Sequence, residues 1–133
     1  MPKTLRKVLC VEDEADIRTV AKLALASVGG FEVLLCSSGA EAIAKAARFK
    51  PDIMLLDVMM PGMDGPDTLK ALRALPGLAT VPAVFLTAKA MPSEVARYRK
   101  LGALDVVAKP FDPMTLAAHV KRIWEGRGRK WSG

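Results

Sequence analysis

The chain alternates short apolar runs with segments of helical periodicity, and this alternation restricts its fold more than any other feature. Apolar runs bounded by turn residues predict strands near Lys7–Val11, Glu32–Cys36, Ile53–Asp57, Ala83–Thr87 and Asp105–Ala108. Helical patterns lie near Asp16–Val28, Gly39–Phe49, Asp67–Leu75, Ser93–Leu101 and Pro113–Glu125. Strands that alternate with helices pair in parallel and are covered on both faces. The sequence therefore predicts an α/β fold built on a five-stranded parallel sheet.

Turn and capping residues support these boundaries. Gly29-Gly30 stops the first helical pattern, Ser38 can cap the second, and Pro51 follows the end of the second. Asp112 before Pro113 matches a capping residue before a proline in the first helical turn, so we expect the last helix to begin at Pro113.

Length and apolar content indicate one soluble domain. At 133 residues the chain can form a single core, which we place in residues 1–126, with 127–133 as a flexible basic tail. No apolar run approaches the ~18–20 residues that a membrane-spanning helix requires, and no signal-type apolar segment follows the basic N-terminus. We therefore expect a cytoplasmic protein with no membrane association.

The cysteines fit a reducing compartment and do not suggest a metal site. Cys10 and Cys36 fall within predicted strands, where cysteine packs as a small buried hydrophobe. The single histidine, His119, lies in a helical pattern, and the sequence has no Cys/His cluster with zinc-ligand spacing. A zinc site is therefore not expected.

The net charge of +6 is concentrated in two helical patterns and the C-terminal residues. The basic residues there are Arg97, Arg99, Lys100, Lys121, Arg122, Arg127, Arg129 and Lys130. Such clusters occur on proteins that bind nucleic acids or acidic partners, and a solvated helix face with a flexible tail is the simpler interpretation. Aromatic residues form only 5% of the chain, too few for a platform that stacks single-stranded bases.

Polar residues lie where the predicted strands end. They are Glu12-Asp13, Asp57, Thr87 and Lys109. The C-terminal ends of parallel strands meet at one rim, where open α/β sheets bind ligands. Three neighbouring carboxylates would raise one another's pKa values without a counter-ion, and Mg2+, which prefers oxygen ligands, is the expected cation. The alternative for Glu12-Asp13-Glu14 is a set of acids that stabilise a helix N-terminus.

Together these residues have the chemistry for phosphoryl transfer to a carboxylate. Asp57 would attack phosphorus and form an aspartyl phosphate. Mg2+ would neutralise charge on the phosphoryl oxygens, with Lys109 as a counter-charge and the Thr87 hydroxyl as a hydrogen-bond donor.

Four motifs in order resemble the receiver domain of bacterial two-component response regulators, over about Arg6 to Glu125. The motifs are Val8-Leu9-Cys10-Val11-Glu12-Asp13-Glu14, then Asp52-Ile53-Met54-Leu55-Leu56-Asp57-Val58-Met59-Met60-Pro61-Gly62-Met63-Asp64-Gly65, then Leu86-Thr87-Ala88, and last Gly102-Ala103 through Ala108-Lys109-Pro110-Phe111. Each motif alone is weak, whereas the four at this spacing are specific. The resemblance implies the flavodoxin-like fold of that family, with strand order 2-1-3-4-5.

The resemblance also implies roles for the residues at the strand ends. Asp57 would accept a phosphoryl group from a histidine kinase, Thr87 would be the switch hydroxyl, and Lys109 the family's lysine, joined to Pro110 by a cis peptide bond. The implied Mg2+ ligands are Glu12, Asp13, Asp57 and the backbone carbonyl of Met59. Such a domain catalyses its own phosphorylation and dephosphorylation and is not otherwise an enzyme.

The implied partners are a sensor histidine kinase or phosphotransfer protein and an unidentified output protein. In this family the surface of the fourth helix, fifth strand and fifth helix often carries target contacts or a phosphorylation-dependent homodimer. Here that surface includes the basic residues Arg97, Lys100, Lys121 and Arg122, which would favour an acidic partner.

One position departs from the family's common pattern, and two positions that vary within the family bear on the lifetime of the phosphorylated state. Val106 stands where many receivers carry Tyr or Phe, so the usual aromatic readout is not expected. Met59 and Lys89, two residues beyond Asp57 and Thr87, stand where the family tunes attack by water. Neither side chain orients water well, so we expect a phosphorylated state that lives longer than in chemotaxis-type receivers.

Other functions remain as alternatives. A pseudo-receiver would bind partners without phosphorylation, and the chain would also fit a receiver fragment of a longer regulator. A haloacid-dehalogenase-type phosphatase requires a second acid where Met59 lies. A flavodoxin-like FMN binder would carry a hydroxyl-rich phosphate loop after the first strand, where this chain has acids, and the sequence has no P-loop motif.

Overall fold

The structure, a computed structural model, describes residues 4–128 and confirms the predicted fold class. Its strands are β1 Lys7–Val11, β2 Glu32–Cys36, β3 Ile53–Asp57, β4 Ala83–Thr87 and β5 Asp105–Ala108. They form one sheet in the order β2-β1-β3-β4-β5, and each neighbouring pair is parallel. Of the predicted tail 127–133, residues 129–133 lie outside the described range.

Helices connect the strands and cover both faces of the sheet. They are α1 Ala15–Lys22, α2 Gly39–Phe49, α3 Gly65–Arg73, α4 Pro92–Lys100 and α5 Leu116–Glu125. α1 continues as a π-helical segment, Leu23–Val28, so the first predicted helix contains two helical types. The segment ends where Gly29 N–H donates to the Ala24 carbonyl (3.1 Å), and Gly30 follows with φ 74°, a conformation that glycine adopts without strain.

Side-chain caps set the starts of α2 and α3. The Ser38 hydroxyl accepts from the backbone N–H of Glu41 (3.1 Å), which confirms the predicted cap of α2. α3 begins two residues before the predicted Asp67, at Gly65, because the Asp64 carboxylate accepts from the Asp67 N–H (2.9 Å) and Pro66 is accommodated in the first turn.

The predicted start of α5 at Pro113 is wrong, because the helix begins at Leu116. The Asp112 carboxylate accepts from the Met114 N–H (2.8 Å), and the Asp112 carbonyl accepts from the N–H groups of Thr115 (3.1 Å) and Leu116 (3.0 Å). Asp112 therefore closes a separate turn that ends where the helix starts, because an aspartate side chain can also accept from the backbone N–H two residues further on.

Apolar side chains fill both faces of the sheet. β3 and β4 are buried along their whole length, as the central strands of a parallel sheet require. The layer beneath α2, α3 and α4 contains Cys36, and the layer beneath α1 and α5 contains Cys10. Burial raises the pKa of Cys36 to about 11 and that of Cys10 to about 12, so both free thiols stay protonated, as the prediction of buried cysteines implies. Within residues 4–128, no helix has both the length and the apolar character that crossing a membrane requires.

Candidate functional site

The C-terminal ends of β1, β3, β4 and β5 form one polar rim. Glu12 and Asp13 follow β1, Asp57 ends β3, Thr87 ends β4 and Lys109 follows β5. The strand register sets these residues at similar heights along the strands: in the register Asp57 pairs with Leu86, and Thr87 with Ala108. One carboxylate oxygen each from Glu12, Asp13 and Asp57 lies within 4.8 Å of the others. The structure thus brings together all the side chains that the sequence placed at strand ends.

Lys109 bridges two of the three acids. Its Nζ donates to Glu12 Oε1 (3.0 Å) and to Asp57 Oδ1 (3.1 Å), and its side chain is only 13% exposed. Burial alone would lower the pKa of Lys109, but the hydrogen bonds to both carboxylates outweigh it and raise that pKa. The amine therefore stays protonated beside Asp57, where it can hold an incoming anionic group. The peptide bond from Lys109 to Pro110 is cis, as expected.

Asp57 is poorly stabilised as a carboxylate without a further positive charge. It is 1% exposed, and burial raises its pKa to about 7, with the hydrogen bond and charge of Glu12 acting in the same direction and Lys109 opposing them. A second cation near Asp57 would lower this pKa by offsetting both the burial and the repulsion from Glu12.

Two buried oxygens show where such a cation fits. Asp13 Oδ1 and Asp57 Oδ2 have no hydrogen-bond partner among the described residues. Glu12 differs, because its Oε1 accepts from Lys109 and its Oε2 from the Glu14 N–H (3.0 Å). Unpaired buried carboxylate oxygens are costly, and a hard divalent cation such as Mg2+ takes oxygen ligands of this kind. The donor set therefore fits Mg2+.

The loop after β3 brings Met59 next to the acids. Its backbone N–H donates to Asp57 Oδ1 (3.3 Å), while its side chain is 78% exposed. The Met59 backbone therefore lies at the site, where its carbonyl was expected to contribute a ligand, and its apolar side chain extends into solvent above Asp57.

Thr87 presents a hydroxyl on the same rim. The residue is buried, and its Oγ1 accepts from the backbone N–H of Lys89 (3.0 Å). The Thr87 carbonyl accepts from the Lys109 N–H (2.8 Å), which joins the ends of β4 and β5. Because the hydroxyl accepts from Lys89, its own hydrogen remains available for an anion in the site.

A cavity of about 650 Å3 opens over Asp57, Thr87 and Lys109. Much of its wall is apolar, formed by α1 and by the loop that follows β5, and includes Ile17, Val20, Ala88, Pro110, Phe111 and Pro113. The polar rim is therefore reached through a groove with largely apolar walls.

Two residues near the site were not expected from the sequence. Arg18 of α1 donates through one nitrogen to the carbonyls of Glu12 (2.8 Å) and Asp13 (2.8 Å). Tyr98 of α4 is buried and packs edge-on against Phe85, with ring centroids 5.3 Å apart. The sequence offered one signal for each residue. Arg18 is a basic residue shortly after an acidic run, and Tyr98 is an aromatic residue in an otherwise polar helix.

Val106 lies in the same apolar layer as this aromatic pair. It is buried, and in the strand register it pairs with Phe85, two residues before Thr87. The aromatic rings in this part of the layer therefore come from β4, through Phe85, and from α4, through Tyr98, while β5 contributes the aliphatic Val106.

Comparison with known proteins points to one family. A family model described as "Response regulator receiver domain" matches residues 8–121. The DNA-binding response regulator MtrA of Mycobacterium tuberculosis is 36% identical over 116 residues, which are 87% of this chain and 49% of that protein. The alkaline phosphatase synthesis transcriptional regulatory protein PhoP of Bacillus subtilis is 39% identical over 118 residues, which are 89% of this chain and 48% of that protein. The chain spans about half the length of these curated relatives.

Solved structures with the same fold agree with this result. The chemotaxis response regulator CheY4 of Vibrio cholerae matches with a TM-score of 0.82 and 34% identity, covering 90% of this chain and 99% of that chain. The signal receiver domain of a signal transduction histidine kinase from Syntrophus aciditrophicus matches with a TM-score of 0.76 and 34% identity, covering 96% of both chains. The strand order is the one expected from the resemblance.

Proposed function

Because the chain belongs to the response regulator receiver domain family, we propose that Asp57 accepts a phosphoryl group from a phosphohistidine partner, and that phosphorylation changes which proteins the chain binds. The observation that carries the proposal is the position of Asp57. Its buried carboxylate lies at the base of a cavity, 3.1 Å from the Lys109 amine, with Thr87 on the same wall. The reaction is confined to the chain's own phosphorylation and dephosphorylation.

The proposed transfer uses the rim side chains in distinct roles. An Asp57 carboxylate oxygen forms the new bond to phosphorus while the bond from phosphorus to the donor's histidine nitrogen breaks, and the histidine, which carries a proton on its other ring nitrogen, leaves as a neutral imidazole. Lys109 moves from the carboxylates to a phosphoryl oxygen, and the Thr87 hydroxyl donates to another. Glu12, Asp13, Asp57 and the Met59 carbonyl would hold Mg2+, which when bound would supply positive charge for the phosphoryl oxygens.

The groove beside the site suits the phosphodonor. Its wall combines Ile17 and Val20 on α1 with Phe111 after β5, and it leads directly to Asp57. An amphipathic helix that carries the phosphohistidine would bury its apolar face here and bring phosphorus to the carboxylate. We therefore propose a sensor histidine kinase or a phosphotransfer protein as the donor, in the cytoplasm.

The output partner is proposed to be acidic. α4 exposes Arg97 and Lys100, and α5 exposes Arg122. Arg97 forms an exposed ion pair with Glu94 (3.3 Å), while Lys100 and Arg122 have no ion pair among the described residues. A surface with unpaired basic side chains repels a second copy of itself and attracts acidic protein segments.

Phosphorylation by acetyl phosphate tests the proposal. Purified protein incubated with acetyl phosphate and Mg2+ should gain the mass of one phosphoryl group, measured on the intact protein. Asp57→Asn should abolish the gain, because the amide is not a nucleophile. Asp67→Asn, at an exposed position on α3, is the matched control and should be labelled like the wild type.

The rival function predicts a different outcome of the same experiment. A pseudo-receiver would gain no mass under any of these conditions, and labelling that persists in Asp57→Asn would place the phosphoryl group elsewhere. Either result would contradict the proposal.

A further inference from the structure

Arg18 makes an unusual pair of contacts behind the acidic rim. It lies in the first turns of α1, and its NH1 nitrogen donates to two successive carbonyl oxygens, those of Glu12 and Asp13, each at 2.8 Å. One guanidinium nitrogen carries two N–H groups, so both bonds can form at once. These bonds join α1 to the loop that carries both acids and fix the two peptide groups relative to each other.

The position of Arg18 is unfavourable by the usual rules of helix electrostatics. The N-terminal end of a helix carries partial positive charge and favours acids, so a guanidinium that reaches toward it is repelled. Two charge-assisted hydrogen bonds and the adjoining acids offset this repulsion. Because Arg18 is held there against the helix dipole, we infer that its hydrogen bonds stabilise the fold by more than the repulsion destabilises it.

Asp13 depends on Arg18 more than Glu12 does. The Glu12 N–H donates to the Cys36 carbonyl (3.0 Å), and both of its carboxylate oxygens accept hydrogen bonds. The Asp13 side chain has no such bond within residues 4–128, and its Oδ1 is buried without a partner. The bond from Arg18 to the Asp13 carbonyl therefore holds the peptide from which this unpaired carboxylate projects.

We propose that Arg18 is a positioning residue for the cation site: it holds the backbone of Glu12 and Asp13 so that the Asp13 carboxylate stays beside Asp57. The inference rests on the proposed function, because that function supplies the cation. Groups that support metal ligands in this way typically contribute about 10–100-fold to metal affinity.

The sign of the effect separates positioning from simple electrostatics. Arg18 brings positive charge close to a site for a cation, so on charge alone its removal would strengthen Mg2+ binding. If Arg18 positions Asp13, its removal weakens Mg2+ binding although the local charge becomes more negative.

Titration calorimetry of Mg2+ into the unphosphorylated protein tests the inference. Arg18→Met should raise the Mg2+ Kd by about 10–100-fold. Arg18→Lys keeps the charge but offers a point donor in place of the fork, so its Kd should lie between those of Arg18→Met and the wild type. Arg48→Met removes the same charge from an exposed position on α2 and should leave the Kd unchanged.

A second measurement distinguishes positioning from damage to the reacting groups. With acetyl phosphate as donor, the Mg2+ concentration for half-maximal labelling should rise in Arg18→Met, while the rate at saturating Mg2+ stays close to that of the wild type. Circular dichroism shows whether each variant is folded, and if Arg18→Met does not fold, the Kd of Arg18→Lys decides.

The outcomes also separate the inference from the function on which it rests. An unchanged or lower Mg2+ Kd in the folded Arg18 variants, with normal binding by the wild type, would overturn the inference and leave the proposed function standing. A wild-type protein that binds no Mg2+ would overturn both.

Discussion

At the scale of single residues, Asp57 shows how burial prepares a carboxylate for reaction. Its pKa of about 7 reflects burial first and the neighbouring Glu12 second, with Lys109 providing only partial compensation. The metal-free site is therefore protonated over much of the pH range in which an exposed aspartate is fully ionised. Cation binding and proton release at Asp57 are consequently linked.

This linkage predicts a pH dependence of Mg2+ affinity. In the proposed site Mg2+ would bind the carboxylate form, and the protonated form of Asp57 dominates below about pH 7. The apparent Mg2+ Kd should level off above that pH and rise by about tenfold per pH unit below it. Calorimetric titrations between about pH 5.5 and 8.5 check this, and a flat profile would contradict the pKa. Asp57→Asn should bind Mg2+ weakly and lack this pH step.

The side chains next to Asp57 and Thr87 predict a slow loss of the phosphoryl group. Met59 is exposed and apolar, and the contact of Lys89 with the site is through its backbone N–H. Neither side chain is an amide or carboxylate that would hold an attacking water. Loss of label from purified phosphoprotein should therefore be slow, and Met59→Asn should accelerate it. A half-life of seconds in the wild type would contradict this prediction.

At the scale of elements, close contacts between helices constrain small residues. Gly39 begins α2, and a Cβ built there would overlap with Thr68 Oγ1 on α3. Thr68 is fully buried, and its hydroxyl donates to the Asp64 carbonyl (2.7 Å), so it cannot move aside without losing that bond. The contact between α2 and α3, next to the loop after β3, therefore requires glycine.

A glycine-to-alanine pair tests this contact. Gly39→Ala should lower the free energy of unfolding by about 1–3 kcal/mol through overpacking, although alanine is the better helix former. Gly126→Ala is the matched control, because a Cβ there would meet its nearest atom, the Ile123 carbonyl oxygen, at 3.6 Å. The control should be neutral or slightly stabilising in urea denaturation. Equal stability of the two variants would contradict the packing argument.

At the scale of the whole molecule, the carboxylate cluster of the rim and the exposed basic side chains of the last two helices lie on different elements. The acids of the rim follow β1 or end β3, while exposed basic side chains lie on α4 and α5. The exposed basic residues proposed for output are Arg97, Lys100 and Arg122, and Lys121, which is also exposed, lines a separate cavity beside the π-helical segment. An acidic partner would be drawn to the basic surface of α4 and α5, away from the rim.

This distribution predicts charge-dependent and site-dependent binding. A fluorescent polyglutamate peptide should bind the protein, with an affinity that falls as salt rises. The double variant Lys100→Glu/Arg122→Glu should weaken binding of the peptide. The control variant Arg48→Glu/Lys50→Glu reverses the same number of charges at exposed positions at and after the end of α2, and it should weaken binding less. Fluorescence anisotropy measures the peptide affinity of both variants. An equal loss of affinity in the two would show that the peptide responds to net charge alone and would contradict the proposed surface.

The strands were predictable because their signal is local. The observed bounds of β1–β5 match the predicted ones, since each apolar run is bounded by turn residues and the central strands are buried on both faces. Helix starts were less predictable. Asp64 and Asp112 are both followed within two residues by proline, yet one caps a helix and the other closes a turn, and only the path of the backbone distinguishes them.

The sequence by itself determined the parallel α/β sheet and the set of polar residues at its rim, because periodicity and strand ends can be recognised along the chain. Only the tertiary structure decided how those residues meet: that Lys109 bridges Glu12 and Asp57, that Asp13 and Asp57 keep unpaired oxygens, and that Arg18 holds the loop behind them. Distances between residues far apart in sequence follow from strand order and helix packing, which no local pattern encodes.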